Sequence, residues 1–254
     1  MNQEAVVHVS GLRKTYKDVV AVDGVSFEVR RGEIFGMVGP NGAGKTTTVE
    51  CLESLRDPDA GEVRVLGLDP RRAGPALRER IGMQLQSSAL PDRIRVGETL
   101  DLFGAFYSRR SDAGALLKRL GLEEKRDAAF AKLSGGQKQR LFIALALMND
   151  PDLVFFDELS TGLDPQARRS MWDLIRDIRA SGKTVVLTTH FMEEAERLCD
   201  RVAILDHGRM VALDTPEALI RGLGAENRVV FTCEAGLDPA ELKALPGAAA
   251  AERN

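Results

Sequence analysis

The chain has 254 residues, 44% of them apolar and 29% charged, with a formal net charge of −3 at neutral pH. That size suits one large α/β domain or a domain with a small appendage, and the apolar share is enough for a buried core. The slightly acidic balance excludes nonspecific nucleic-acid binding as a main function, and no apolar run approaches the roughly 20 residues of a membrane-crossing helix.

Met1-Asn2-Gln3-Glu4 has neither the basic region nor the apolar stretch of a secretory signal, so the chain is expected to stay in the cytosol. Val6 to Val9, Ala21 to Val29 and Ile34 to Val38 alternate or run apolar between Gly11, Gly24 and Gly32, which predicts strands joined by turns. Directly after the third strand comes Gly39-Pro40-Asn41-Gly42-Ala43-Gly44-Lys45-Thr46-Thr47, a full P-loop pattern, and Thr46 to Leu55 reads as the helix leaving it. Its glycines let successive N–H groups converge on phosphates, Lys45 adds a point charge, and the Thr46 hydroxyl suits Mg²⁺. Gly61 to Gly67 reads as another strand, Ala73 to Arg80 as a short helix, and Ile81 to Gln86 as a strand.

The period then changes. Val96 to Tyr107, Ala113 to Leu120 and Gly135 to Asn149 are helical in spacing, so residues near 87–150 are expected to form a helical subdomain inserted into the α/β core. Within it, Leu133-Ser134-Gly135-Gly136-Gln137 opens an apolar helix and offers a hydroxyl, free N–H groups and the positive end of a helix dipole to an anion. Phe103, Phe106 and Tyr107 recur at helical spacing, either as core of the insertion or as a face on which a partner presses.

Strand and helix alternate again from Leu153 to Phe156, Gln166 to Ala180, Thr184 to Thr189, Met192 to Cys199 and Arg201 to Leu205, with a last pair around Arg209 to Ala212, as in a parallel sheet. The first of these strands ends in Asp157-Glu158. Asp157 at the strand tip suits Mg²⁺, and Glu158 suits a general base for an attacking water. Pro216 opens a short helix to Leu223, Arg228 to Cys233 reads as one more strand, and Gly247 to Asn254 reads as a frayed end. Cys51, Cys199 and Cys233 match no zinc or redox spacing and read as ordinary thiols.

With these residues in view, the chain resembles the nucleotide-binding subunit of an ABC (ATP-binding cassette) transporter over residues from about 6 to 222. The resemblance rests on the P-loop, Leu133 to Gln137, Asp157-Glu158, Gly162-Leu163-Asp164 and Thr188-Thr189-His190. It implies a P-loop NTPase fold with a mostly parallel sheet, an N-terminal antiparallel β subdomain and the helical insertion, followed by a short, partly disordered extension over 223–254. It implies that Tyr16 stacks on adenine, where the plain alternative is an exposed strand aromatic. It implies that Gln86 senses Mg²⁺ and water, with Gln84 a nearby competitor. His190 would contact the γ-phosphate and link it to Glu158, and Asp164 would reach toward a partner's site, cap the helix begun by Pro165, or both. Leu159 stands where the family commonly has proline, which leaves the turn after Glu158 less constrained.

Gln86 to Pro91, Leu102 to Tyr107 and Met192 to Arg201 look most like the ABC-2-type export ATPases, a group that includes bacterial drug-resistance, polysaccharide and sodium exporters. The resemblance implies ATP and Mg²⁺ as ligands, an integral membrane permease as partner, and a second nucleotide-binding subunit joined in an ATP-dependent homodimer on the cytoplasmic face of the membrane. Soluble ABC ATPases of DNA repair or the ribosome are the competing class. Those usually carry a long coiled-coil insertion or two cassettes, and this sequence has neither.

Overall fold

The computed structural model describes residues 4–84, 89–222 and 242. Strands β1 (Ala5–Tyr16) and β2 (Val19–Arg30) form a hairpin that turns through Lys17, which adopts a left-handed φ of 50°. Along β2, Val25, Phe27 and Val29 are buried while their neighbours face out, the period-2 pattern of a half-covered antiparallel strand. The third member of this sheet is β4 (Ala60–Val65), which pairs with β1 antiparallel, so the chain returns to the N-terminal sheet after the P-loop helix.

The second sheet has the order β5-β6-β7-β3-β8-β9, built from β3 (Ile34–Val38), β5 (Ile81–Gln84), β6 (Leu153–Asp157), β7 (Thr184–Thr189), β8 (Arg201–Asp206) and β9 (Arg209–Asp214). Its pairs are parallel except for the closing β8-β9 hairpin. Every residue of β3, β6 and β7 is buried, as expected of strands covered on both faces. The two sheets share one core. Phe27 of the first stacks on Phe35 of the second with ring centroids 5.3 Å apart, among Val7, Val9, Val29 and Met37.

Helices cover the rest: α1 (Lys45–Leu52), α2 (Gly74–Arg78), α3 (Val96–Gly104), α4 (Ala113–Arg119), α5 (Gly135–Ala146), α6 (Pro165–Ala180) and α7 (Met192–Leu198). In α6 the buried Met171, Trp172, Leu174, Ile175 and Ile178 fall on one stripe, and Pro165 takes the first position, where its missing N–H costs nothing. Several predicted helices end early. α1 stops at Leu52 because Ser54 is left-handed, with φ 62°. α3 stops at Gly104 rather than reaching Tyr107, so Phe103, Phe106 and Tyr107 are not one helix face. Phe103 and Tyr107 are half-buried while Phe106 is 70% exposed.

α5 ends at Ala146, and beyond it the buried Asn149 donates to the carbonyls of Arg78 (3.0 Å) and Ile81 (2.8 Å). The chain divides into two compact units, Met1–Pro216 and Glu217–Asn254. The second contributes most of α8 (Pro216–Gly222), while the candidate strand Arg228 to Cys233 and the C-terminal stretch lie outside the described residues.

The insertion is seated on the core sheet through a backbone approach that only glycine allows. A Cβ at Gly82 would lie 1.9 Å from the Ala146 carbonyl oxygen. Gly82→Ala is therefore expected to cost about 3 kcal/mol through overpacking, read as a lower urea midpoint with an unchanged slope.

Candidate functional site

The P-loop leaves β3 at Val38 and runs into α1 at Lys45. Two of its glycines are obligatory for space: a Cβ at Gly39 would sit 2.2 Å from the Leu205 carbonyl oxygen, and one at Gly44, where φ is 96°, would sit 2.3 Å from that of Ala21. Within the loop the Ala43 N–H donates to the Pro40 carbonyl at 3.1 Å. Asn41, Gly42, Gly44, Lys45, Thr46 and Thr47 line a cavity of about 210 Å³ together with Glu158.

Lys45 is only 4% exposed, and its ammonium donates to the carbonyls of Gly39 (2.8 Å) and Pro40 (3.1 Å). A buried cation must keep such partners, and phosphate oxygens are stronger ones than neutral carbonyls. The third partner is Glu158, whose Oε1 stands 3.9 Å from Lys45 Nζ and 3.6 Å from His190 Nδ1. One carboxylate oxygen thus faces both the P-loop lysine and the histidine after β7.

Thr46 Oγ1 lies 3.4 Å from Asp157 Oδ1, and Thr188 Oγ1 donates to that same oxygen. Burial pushes the Asp157 carboxyl above its ordinary range, while the hydrogen bonds from Thr188 and Thr46 pull it back down. A hydroxyl and a carboxylate side by side are hard oxygen donors suited to Mg²⁺, which keeps substrate phosphates and waters in its shell rather than an all-protein cage. Among the described residues, no group of three or more His, Cys, Asp or Glu stands together as a metal cluster.

Glu158 has a left-handed φ of 50°, a sparsely populated conformation for a residue with a side chain. Its N–H is held by the Thr188 carbonyl (3.2 Å) and the Thr188 hydroxyl (3.1 Å). Leu159, in the place of the family's usual proline, is buried, and its carbonyl accepts from Gln139 Nε2 of α5 at 2.6 Å. Packing and this bond anchor the turn that leucine leaves unset. Thr188, named in the sequence only as part of Thr188-Thr189-His190, and Gln139, which sequence reasoning passed over, both have roles here.

The Leu133–Gln137 stretch lies elsewhere. Ser134 caps α5: its hydroxyl accepts from the Gln137 N–H (3.3 Å), and Gln137 Oε1 accepts from the Ser134 N–H (3.0 Å). Ser134, Gly136 and Gln137 line a separate cavity of about 260 Å³ with Gly121, Arg140, Ala167 and Met171. Open space surrounds the positions where Cβ atoms would stand on Gly135 and Gly136.

Asp164 caps α6, its Oδ1 accepting from the N–H groups of Gln166 (3.0 Å) and Ala167 (2.9 Å), and it is exposed. Tyr16 ends β1 half in solvent, its ring centroid 5.6 Å from Lys14 Nζ and 5.8 Å from Arg56 Cζ. It does not line the P-loop cavity. Gln86 lies outside the described residues, and Gln84 is buried at the end of β5.

A family profile described as "ABC transporter" matches residues 22–161. A Ralstonia nicotianae protein named Nod factor export ATP-binding protein I is 46% identical over 220 residues, spanning 85% of this chain and 68% of that protein. The solved structure of an ATP-binding subunit of an ABC transporter superposes with a TM-score of 0.77 at 30% identity, covering 86% of this chain and 93% of the other. A dimeric ATP-binding cassette in a post-hydrolysis state with ADP and Pi superposes with a TM-score of 0.73 at 28% identity, covering 83% and 98%.

Next to Asp157 sits a second desolvated acid. Glu53, at the end of α1, is 1% exposed, and burial, followed by the charges of Asp157 and Glu50, raises its carboxyl well above the ordinary 4.5. Between that ordinary value and the raised one, the unfolded chain has released the proton that the folded chain keeps, so stability falls as pH rises. Glu53→Gln is expected to remove this decline. In Mg²⁺-free urea titrations the variant should gain on the parent above pH 4.5 by up to about 1.4 kcal/mol per pH unit.

Proposed function

Because the chain belongs to the family of ABC transporter ATP-binding subunits, ATPases that use Mg²⁺ with ATP and couple hydrolysis to transport, we propose that it works as a pair. Two copies close head to tail around two ATP molecules, each bound by the P-loop of one copy and the Ser134–Gln137 stretch of the other. The observation that carries this reading is the split within one chain: Lys45 and Glu158 share a cavity with the P-loop, while Ser134 and Gly136 line a different one. The dimeric cassette with ADP and Pi is similar to this chain and supports pairing.

In this mechanism the P-loop N–H groups from Asn41 to Thr47 and the Lys45 ammonium bind the β- and γ-phosphates, with Lys45 exchanging its loop carbonyls for phosphate oxygens. Thr46 and Asp157 would hold Mg²⁺, assisted by Gln86, and the ion supplies charge neutralisation when bound. Glu158 takes the proton from the attacking water, and His190 holds both the γ-phosphate and the base in register. Tyr16 stacks on the adenine, Ser134, Gly135, Gly136 and Gln137 bind the partner's nucleotide, and Asp164 meets the partner near its site.

The work is export through a separate membrane permease, with the ATPase held on the cytoplasmic side. The name of the Ralstonia relative and the ABC-2-like stretches support export. Among the described residues no helix is long and apolar enough to cross a membrane. Exposed Leu102 and Phe106 on the insertion offer apolar surface to a permease's cytoplasmic segment.

Glu158→Gln is expected to keep ATP binding, slow turnover by about 10²–10⁴-fold and accumulate an ATP-bound dimer. Normal turnover would place the base elsewhere. Ser134→Arg should bind ATP yet stay monomeric on size exclusion, and a dimer with ATP in that variant would count against the shared site. Capture from detergent-solubilised membranes should recover a polytopic protein. Recovery with ribosomes or DNA and no membrane protein would overturn the transport assignment.

A further inference from the structure

Through side chains that line neither cavity, α6 meets α7 in three contacts in step. Arg168, Trp172 and Arg176 recur every fourth residue, so they share one face of α6. The Arg168 guanidinium lies 4.1 Å from the Phe191 ring centroid, Trp172 Nε1 donates to Glu194 Oε1 at 3.0 Å, and Arg176 Nη2 donates to the Arg197 carbonyl at 2.9 Å. The Arg197 guanidinium closes over the Trp172 ring at 5.7 Å.

The middle contact is the informative one. Trp172 is 4% exposed and Glu194 2%, so a carboxyl has been placed where two helices would pack as well through an apolar side chain. A buried acid there makes packing dependent on one directional bond to the indole N–H. Its geometry fixes the rotation of α7 against α6.

One end of this ladder lies beside the hydrolytic pair. The Arg168–Phe191 rung is the one nearest the start of α6, which Asp164 caps. There the Phe191 ring lies 4.1 Å from that of His190, and the Phe191 N–H donates to Thr189 Oγ1 at 3.0 Å. His190 therefore stands between the ladder and Glu158, with 3.6 Å to Glu158 Oε1.

We propose that Trp172 and Glu194 are positioning residues for hydrolysis: their bond joins α6 and the His190–Phe191 turn into one body that sets His190 against Glu158. Resting on the two-subunit reading above, the same body carries contact of a partner at Asp164 to the hydrolytic pair. Loss of the bond lets His190 drift while leaving the P-loop untouched, so turnover suffers more than nucleotide binding.

The test uses the full chain and steady-state ATP hydrolysis with Mg²⁺. Trp172→Phe and Glu194→Leu should each lower kcat about tenfold, short of the hundredfold that a 1 Å misplacement can cost, with little change in KM. Glu194→Gln, which still presents an oxygen to the indole, should recover most of the turnover. The double variant His190→Ala with Trp172→Phe should be no slower than His190→Ala alone, because the ladder acts through that histidine.

Wild-type turnover in Trp172→Phe, or losses that multiply in the double variant, would overturn the proposal. So would a parallel rise in KM and drop in thermal midpoint, which a packing role alone produces. Failure of the two-subunit reading shows separately, as a parent protein that stays monomeric with ATP, and that result also removes the link from Asp164. A dimeric parent with a fully active Trp172→Phe removes the ladder alone.

Discussion

The parallel pairing of β3, β7 and β6 is the constraint on which the candidate site depends. Val38 stands opposite Thr189, and Thr188 opposite Asp157, so the three strands end at one edge of the sheet. From that edge the P-loop, the Asp157-Glu158 pair and His190 leave side by side, which is where open α/β sheets place their ligands. A slip of one residue between β6 and β7 would turn the shifted strand's side chains to the opposite face and part Asp157 from Thr188.

That edge carries more buried acid than base. Asp157 and Glu158 lie near a single buried ammonium, that of Lys45, and Glu53 adds a further acid beside Asp157. Burial raises Asp157 and Glu53 because neither is compensated by a full ion pair. Threonine hydroxyls carry part of the load: Thr188 bonds Asp157 and the Glu158 backbone at once, and Thr46 approaches Asp157 from the P-loop. A site with this imbalance is stabilised by cationic ligands and selects for substrates that arrive with a divalent ion.

The sequence made local features legible and long-range ones much less so. The P-loop between β3 and α1, the acidic end of β6 and the start of α5 at Ser134 were readable because each is specified by neighbours a few residues apart. The return of β4 to pair with β1 was not, since Ala60–Val65 alternates like any half-buried strand and its partner lies some fifty residues back. Helix ends were misjudged where one residue decides them, as at Ser54 after α1 and at Gly104, after which Phe106 points to solvent. Gln139 was unreadable for a different reason: its bond to the Leu159 carbonyl joins segments that only the tertiary fold brings together.

That last bond bears on how the two cavities of one chain are related. Ser134 and Gly136 sit at the N-terminal end of α5, and Gln139 sits just one turn further along the same helix. Its amide holds the carbonyl directly after Glu158, at 2.6 Å. A shift of α5 therefore either moves the turn that carries Glu158 or breaks a hydrogen bond of about 0.5–1.5 kcal/mol. The turn is already strained, with Glu158 left-handed and pinned by Thr188 on its other side. A strained segment held by two small interactions responds to the loss of either, so the Ser134 end of α5 and the turn at Glu158 are mechanically dependent within a single chain.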